Sequence, residues 1–146
     1  MPKHHLLSFI VTIPLGGCSI FAPAYNEAIY TKLDGAHSSL TKIETALETK
    51  APQHARYRDV EPYYIEALAM VKDAGDIAER RPVYLKGKPS AHAAKLLAGN
   101  IEICRKAIET SRASFEAGGQ QPNEADNISI VRNTCGIAKT MEGSLK

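Results

Sequence analysis

The chain has no tryptophan, only three cysteines, and no excess of one charge: eighteen Lys and Arg stand against sixteen Asp and Glu. So near-even a balance excludes the strongly basic face that nucleic-acid binding needs. Apolar runs are short. The longest, Leu6–Leu15, has ten residues, about half of the ~20 that a membrane-spanning helix requires. No internal repeat, low-complexity tract or alternating strand pattern is present. The motifs of several chemistries are missing as well. His37, His54 and His92 have no partner histidine at helical spacing, and no Glu is followed three positions later by His. H-E-x-x-H, C-x-x-C and C-x-x-C-H are absent, so no metal, haem or redox site is expected. Lys88 in "GKPS" lacks the upstream glycine of a phosphate loop, and no serine sits in a nucleophile elbow. No catalytic residue and no cofactor are expected, and the chain reads as a non-enzyme.

The N-terminus is more informative. "MPKHH" carries Lys3 and no acid, the apolar run follows, and Pro14, Gly16 and Gly17 would break any helix continuing from it. A basic start, a short apolar core and small residues ahead of a cut site have the layout of a secretory signal peptide. The run ends in Leu15-Gly16-Gly17-Cys18. This resembles the lipobox of bacterial lipoproteins: an aliphatic residue, two small residues, then an obligatory cysteine. Gly16 stands where Ala or Ser is commoner. The resemblance covers about the first eighteen residues. It implies cleavage before Cys18, a diacylglyceryl thioether on Cys18, and often acylation of the new amino group. Two or three acyl chains hold a protein on a membrane where one does so only marginally. Ser19 occupies the place where Asp would signal inner-membrane retention, so the resemblance favours the outer membrane, facing the periplasm.

The expected layout is a removed signal peptide over residues 1–17, a lipidated tether over 18–23 and one domain over 24–146. With 17 of 146 residues removed, 129 remain, enough for one core. Four long segments then carry apolar residues at alternating intervals of three and four, the mark of helices packed lengthwise. The first, about 24–50, shows Ile29, Leu33, Ala36, Leu40, Ile43 and Leu47. The second ends near Arg80, and Pro62 leaves its start open between Pro52 and Val60. It shows Tyr57, Val60, Tyr64, Ala67, Val71, Ala74 and Ala78. The third, about 90–117, shows Leu97, Ile101, Cys104, Ile108, Ser111 and Phe115. The fourth, about 123–145, shows Ile128, Val131, Cys135, Ala138 and Leu145. Pro23, Pro52, Pro89 and Pro122 fall near helix starts, where a missing N–H costs nothing. Short connections between four such helices predict an all-α, up-down-up-down four-helix bundle. Counting from the stripes, Gly35, Gly99 and Gly136 point outward and Gly75 flanks the core.

Cys104 and Cys135 lie symmetrically about the turn "GGQQ", and both fall on inward seams. In an oxidising compartment they are expected to form a disulfide. A second consequence follows from alternating helix direction. With the tether at one end, the connection "ERRPVYLKGKPS" returns near the membrane. Arg80, Arg81, Lys86 and Lys88 there form a possible membrane-proximal basic loop, each base adding up to about 1 kcal/mol against anionic headgroups. The expected partners are the membrane, through the lipid, and an unidentified envelope protein, with no nucleic acid. The reading is of a periplasmic lipoprotein acting as a structural or protein-interaction module. The alternative is a module that holds a small apolar ligand or lipid in the bundle core.

Overall fold

The computed structural model describes residues 22–49 and 55–146. The signal peptide, Cys18 and His54 lie outside the described residues. Among those residues there are helices and turns but no strand. Four long helices, α1 (Glu27–Thr49), α2 (Tyr57–Ala78), α4 (Ser90–Gly118) and α5 (Glu124–Gly143), are joined by one short helix, α3 (Arg81–Tyr84), between the second and third of them.

Local chemistry sets the boundaries. Asn26 caps α1: its side-chain oxygen accepts the Ile29 N–H at 3.1 Å, filling one of the four donors a helix start leaves open. At the start of α2 the Asp59 carboxylate accepts the Arg56 N–H at 3.1 Å. Pro62 lies inside α2, although it has no N–H to return to the Arg58 carbonyl. The helix therefore starts at Tyr57, between the two starts that the sequence left open. Gly119 ends α4 with φ at 67°, a conformation that favours glycine, while its N–H closes on the Phe115 carbonyl at 2.9 Å.

The seams form the core. All six α1 positions are buried, as are Val60 through Ala78 at seam spacing in α2, Leu97, Ile101, Cys104, Ile108 and Phe115 in α4, and Ile128, Val131, Cys135 and Ala138 in α5. Each large aliphatic side chain so buried stabilises the fold by about 1.5–3 kcal/mol. Tyr57 is half-buried and meets Phe115 edge-on, with ring centroids 6.0 Å apart. Helix α1 packs on α2 and α5, and α4 packs on the same two.

Two expectations need correcting. Gly35 does not face open solvent. A Cβ there would collide with Met70 Sδ of α2, so the glycine gives that side chain its place. Gly99 and Gly136 do meet nothing within 4 Å. Leu145 is only half-buried, and the seam of α5 ends instead on Glu142, which is fully buried.

Candidate functional site

Glu142 is the centre of a buried polar arrangement that joins three parts of the chain. Its Oε1 accepts the Asn26 N–H at 2.5 Å, and its Oε2 accepts Arg81 Nη1–H at 2.6 Å. The other Arg81 terminal nitrogen donates to the Ala24 carbonyl. One carboxylate and one guanidinium thus join the residues leading into α1, the short helix α3 and the last turn of α5. The carboxylate is fully buried and the guanidinium side chain largely so. Such a pair is strongly destabilised when one partner is removed, because the other charge is left uncompensated.

This corrects the reading of the basic segment. It is not a plain loop, since Arg81–Tyr84 form a helical turn, and Arg81 is folded inward onto Glu142. Arg80, Lys86 and Lys88 remain exposed. Beside them Val83 and Tyr84 are 72% and 78% exposed, the two highest values among the exposed large apolar side chains of the described residues. The end of the molecule that receives Ala24 therefore presents Arg80, Lys86 and Lys88 against exposed Glu79, with two uncovered apolar groups.

The opposite end is tied differently. The Ala55 N–H donates to Gln120 Oε1 at 2.5 Å, fastening the approach to α2 onto the α4–α5 turn. Nearby, Arg112 Nε donates to the Tyr57 hydroxyl at 2.7 Å, and the hydroxyls of Tyr64 and Ser111 lie 3.0 Å apart. Burial pushes the Tyr64 phenol up to about 12, against the lowering effect of the Ser111 bond. Glu124, buried at the start of α5, has its carboxyl pushed above the usual carboxylate range by burial.

Cys104 and Cys135 are bonded, with Cα atoms 4.6 Å apart, joining α4 to α5 near mid-length. Among the described residues no three His, Cys, Asp or Glu side chains gather to hold a metal ion. His37 is pushed below its ordinary value, first by burial and then by Lys139 and Arg132. A groove of about 580 Å³ runs between α2 and α4. Its walls include Lys72, Asp76, Glu79, Glu102 and Arg105, and Arg105 is itself held by Glu102 at 2.7 Å. With Glu109 the groove carries four acids against two bases, and Arg105 is held by Glu102 and Glu109. No described helix is long and apolar enough to cross a membrane.

Sequence reasoning missed Glu142, and the signal for it was present. Positions 128, 131, 135, 138 and 142 continue the spacing of three and four without a break, so an acid was already placed on the inward face. No protein-family profile, no curated protein and no solved structure matches the chain.

Proposed function

We propose that the chain is a lipoprotein held on the outer membrane through Cys18, facing the periplasm, and that its domain is an up-down-up-down bundle acting as a structural or protein-interaction module of the envelope. The layout is supported by pairs whose numbers run in opposite senses. Lys32 meets Asp73 and Lys42 meets Glu66 between α1 and α2. Glu44 meets Arg132 and Asp34 meets Lys139 between α1 and α5.

One observation carries the anchored reading beyond the lipobox. Ala24 and Asn26 are fastened to Arg81 and Glu142, and Ala24 follows Cys18 by six residues. Six residues reach at most about 20 Å. An anchor at Cys18 therefore keeps the end bearing Arg80, Lys86, Lys88, Val83 and Tyr84 next to the headgroups, where cations are attracted to anionic lipid and amphipathic rings settle at the interface. The remaining surface then faces a partner in the envelope. The apolar-ligand alternative has no comparable support, because the centre is occupied by Leu33, Leu40, Tyr64, Ile101 and the disulfide.

Metabolic labelling with an acyl analogue tests the anchor. Cys18→Ser is expected to abolish labelling and to leave the chain unprocessed or released. A Cys18→Ser chain that is still processed and still fractionates with outer membranes overturns the reading.

A further inference from the structure

The corner between α2 and α4 is a fixed projection. The Leu85 N–H closes on the Arg81 carbonyl at 3.0 Å, and the Lys88 N–H closes on the Leu85 carbonyl at 2.8 Å. Gly87 turns the chain with φ at 80°, a conformation that favours glycine. These bonds hold residues 81–88 in one compact turn, and Val83, Tyr84, Lys86 and Lys88 stand exposed on it. The bundle buries neither Val83 nor Tyr84, so neither contributes much to holding it together.

The length of chain ahead of α1 decides what can face this corner. Arg81 donates to the Ala24 carbonyl, so the chain leading back to Cys18 leaves the bundle beside α3. Six residues separate Cys18 from Ala24, and they span at most about 20 Å. A small folded domain is about 30 Å across, too wide to sit between this end and a bilayer that holds Cys18. The charges suit a lipid surface as well. Arg80, Lys86 and Lys88 are exposed, against exposed Glu27 and Glu79 at the same end. Lys146 is held over the rings of Tyr30 and Tyr25, at 4.2 and 5.2 Å. The net positive charge is small, so the apolar pair carries the insertion and charge sets which lipid is preferred. Arg81 itself is kept from lipid by Glu142. Its part is to hold the chain from Cys18 beside the corner.

We propose, resting on the Cys18 anchor put forward above, that α3 is a second membrane attachment. In the anchored chain Tyr84 and Val83 enter the headgroup layer of a leaflet containing anionic phospholipid, while Lys86 and Lys88 meet its phosphates. Acyl chains on a six-residue tether leave a bundle free to tilt. A second contact removes that freedom. It lies at the end of the bundle, since α3 sits where α2 ends and α4 begins and packs on both. The bundle therefore stands upright on the leaflet, and the α4–α5 turn is carried about 40 Å away from the lipid.

The chain has no tryptophan, so Tyr84→Trp places a single fluorescent reporter at the corner. Ala113→Trp, at an exposed position toward the far end of α4, is the control. Each variant is expressed with its signal, extracted in detergent, weighed by mass spectrometry and reconstituted into vesicles of phosphatidylcholine and phosphatidylglycerol with brominated acyl chains. The Tyr84→Trp emission is expected to move to shorter wavelength and to be quenched by the bromine, and the Ala113→Trp emission to do neither. Adding Lys86→Gln and Lys88→Gln to the Tyr84→Trp chain is expected to lower the ratio of docked to undocked corners by up to about 30-fold, and vesicles of phosphatidylcholine alone are expected to lower it too. An acylated Tyr84→Trp chain that stays on the vesicles and escapes quenching overturns the second attachment and leaves the anchor standing. Equal quenching of the two reporters overturns the upright stance. Quenching indifferent to phosphatidylglycerol and to the two lysines overturns the preference for anionic lipid. A chain whose mass shows no acyl group overturns the anchor, and the two-point attachment with it, so the two failures are told apart by mass.

Discussion

Helix α5 is held on its two flanks by different means. Toward α1 it uses charge: Arg132 reaches Glu44 at 2.9 Å, Lys139 reaches Asp34 at 2.5 Å, and Glu142 grips the chain ahead of α1. Toward α4 it uses the Cys104–Cys135 bond and apolar packing. Ion pairs take long side chains across a boundary and leave polar groups on its outer surface. A covalent bond needs no such reach, and the outer surface over α4 and α5 keeps exposed Leu96, Ile103, Ile130 and Ile137, with Lys106 at its margin. How a helix is fastened to its neighbour thus decides what its outer surface has to offer.

The comparison is broken most severely by removing the bond. Replacing both Cys104 and Cys135 by Ala releases a closed loop with a sequence separation of 31 residues, and the chain-entropy estimate is a loss of about 3.5 kcal/mol. Urea unfolding of the oxidised wild type against the double variant measures it. A loss well under 1 kcal/mol would mean that packing alone holds α5 to α4. Next comes the charged flank. Glu142→Ala strands a largely buried guanidinium and the Asn26 N–H, and an expected loss of about 2–3 kcal/mol follows from leaving buried polar groups unsatisfied. Hydrogen exchange sharpens the assignment: in this variant the first turn of α1 is expected to lose protection while mid-helix amides of α4 keep theirs. Uniform loss across all helices would show that Glu142 supports the whole core rather than the entry to α1.

The smallest effect concerns Glu124, at the start of α5. Burial raises its carboxyl above the usual range, so the folded chain takes up the proton more readily than the unfolded one. The stability this provides is complete below the ordinary carboxylate range and is lost as pH rises through the raised value. Glu124→Gln cannot ionise, so it is expected to melt at a higher temperature than wild type at pH 7, with the difference closing as pH falls below the ordinary range. Thermal melts across that interval check it, and a constant offset at every pH would mean that the effect is one of packing.

Much of this fold was readable as periodicity. Ile29, Leu33, Ala36, Leu40, Ile43 and Leu47 were all assigned inward and all are buried, because hydropathy at alternating three and four spacing reports which face leaves water. The disulfide was readable because symmetry about the glycine turn fixes which residues of a hairpin stand opposite. What escaped depends on partners far away in the sequence. Glu142 stands at an inward position by spacing, but the partner that makes its burial tolerable, Arg81, is sixty-one positions earlier and nothing local points to it. Arg81 reads as a loop cation for the same reason. Gly35 reads as outward because nothing local announces that Met70 fills the space above it. Val83 and Tyr84 carry too short a helix for any period to register.

The Arg81–Glu142 pair also determines how the molecule responds to force. An N-terminus usually frays first, since little ties it down. Here a pull applied ahead of Ala24 passes through the guanidinium into the last turn of α5, and from α5 through the sulfur bridge into α4. Freeing the chain ahead of α1 therefore first requires parting the bonds of Arg81 and Glu142. The entry to α1 is thereby coupled to the last turn of α5.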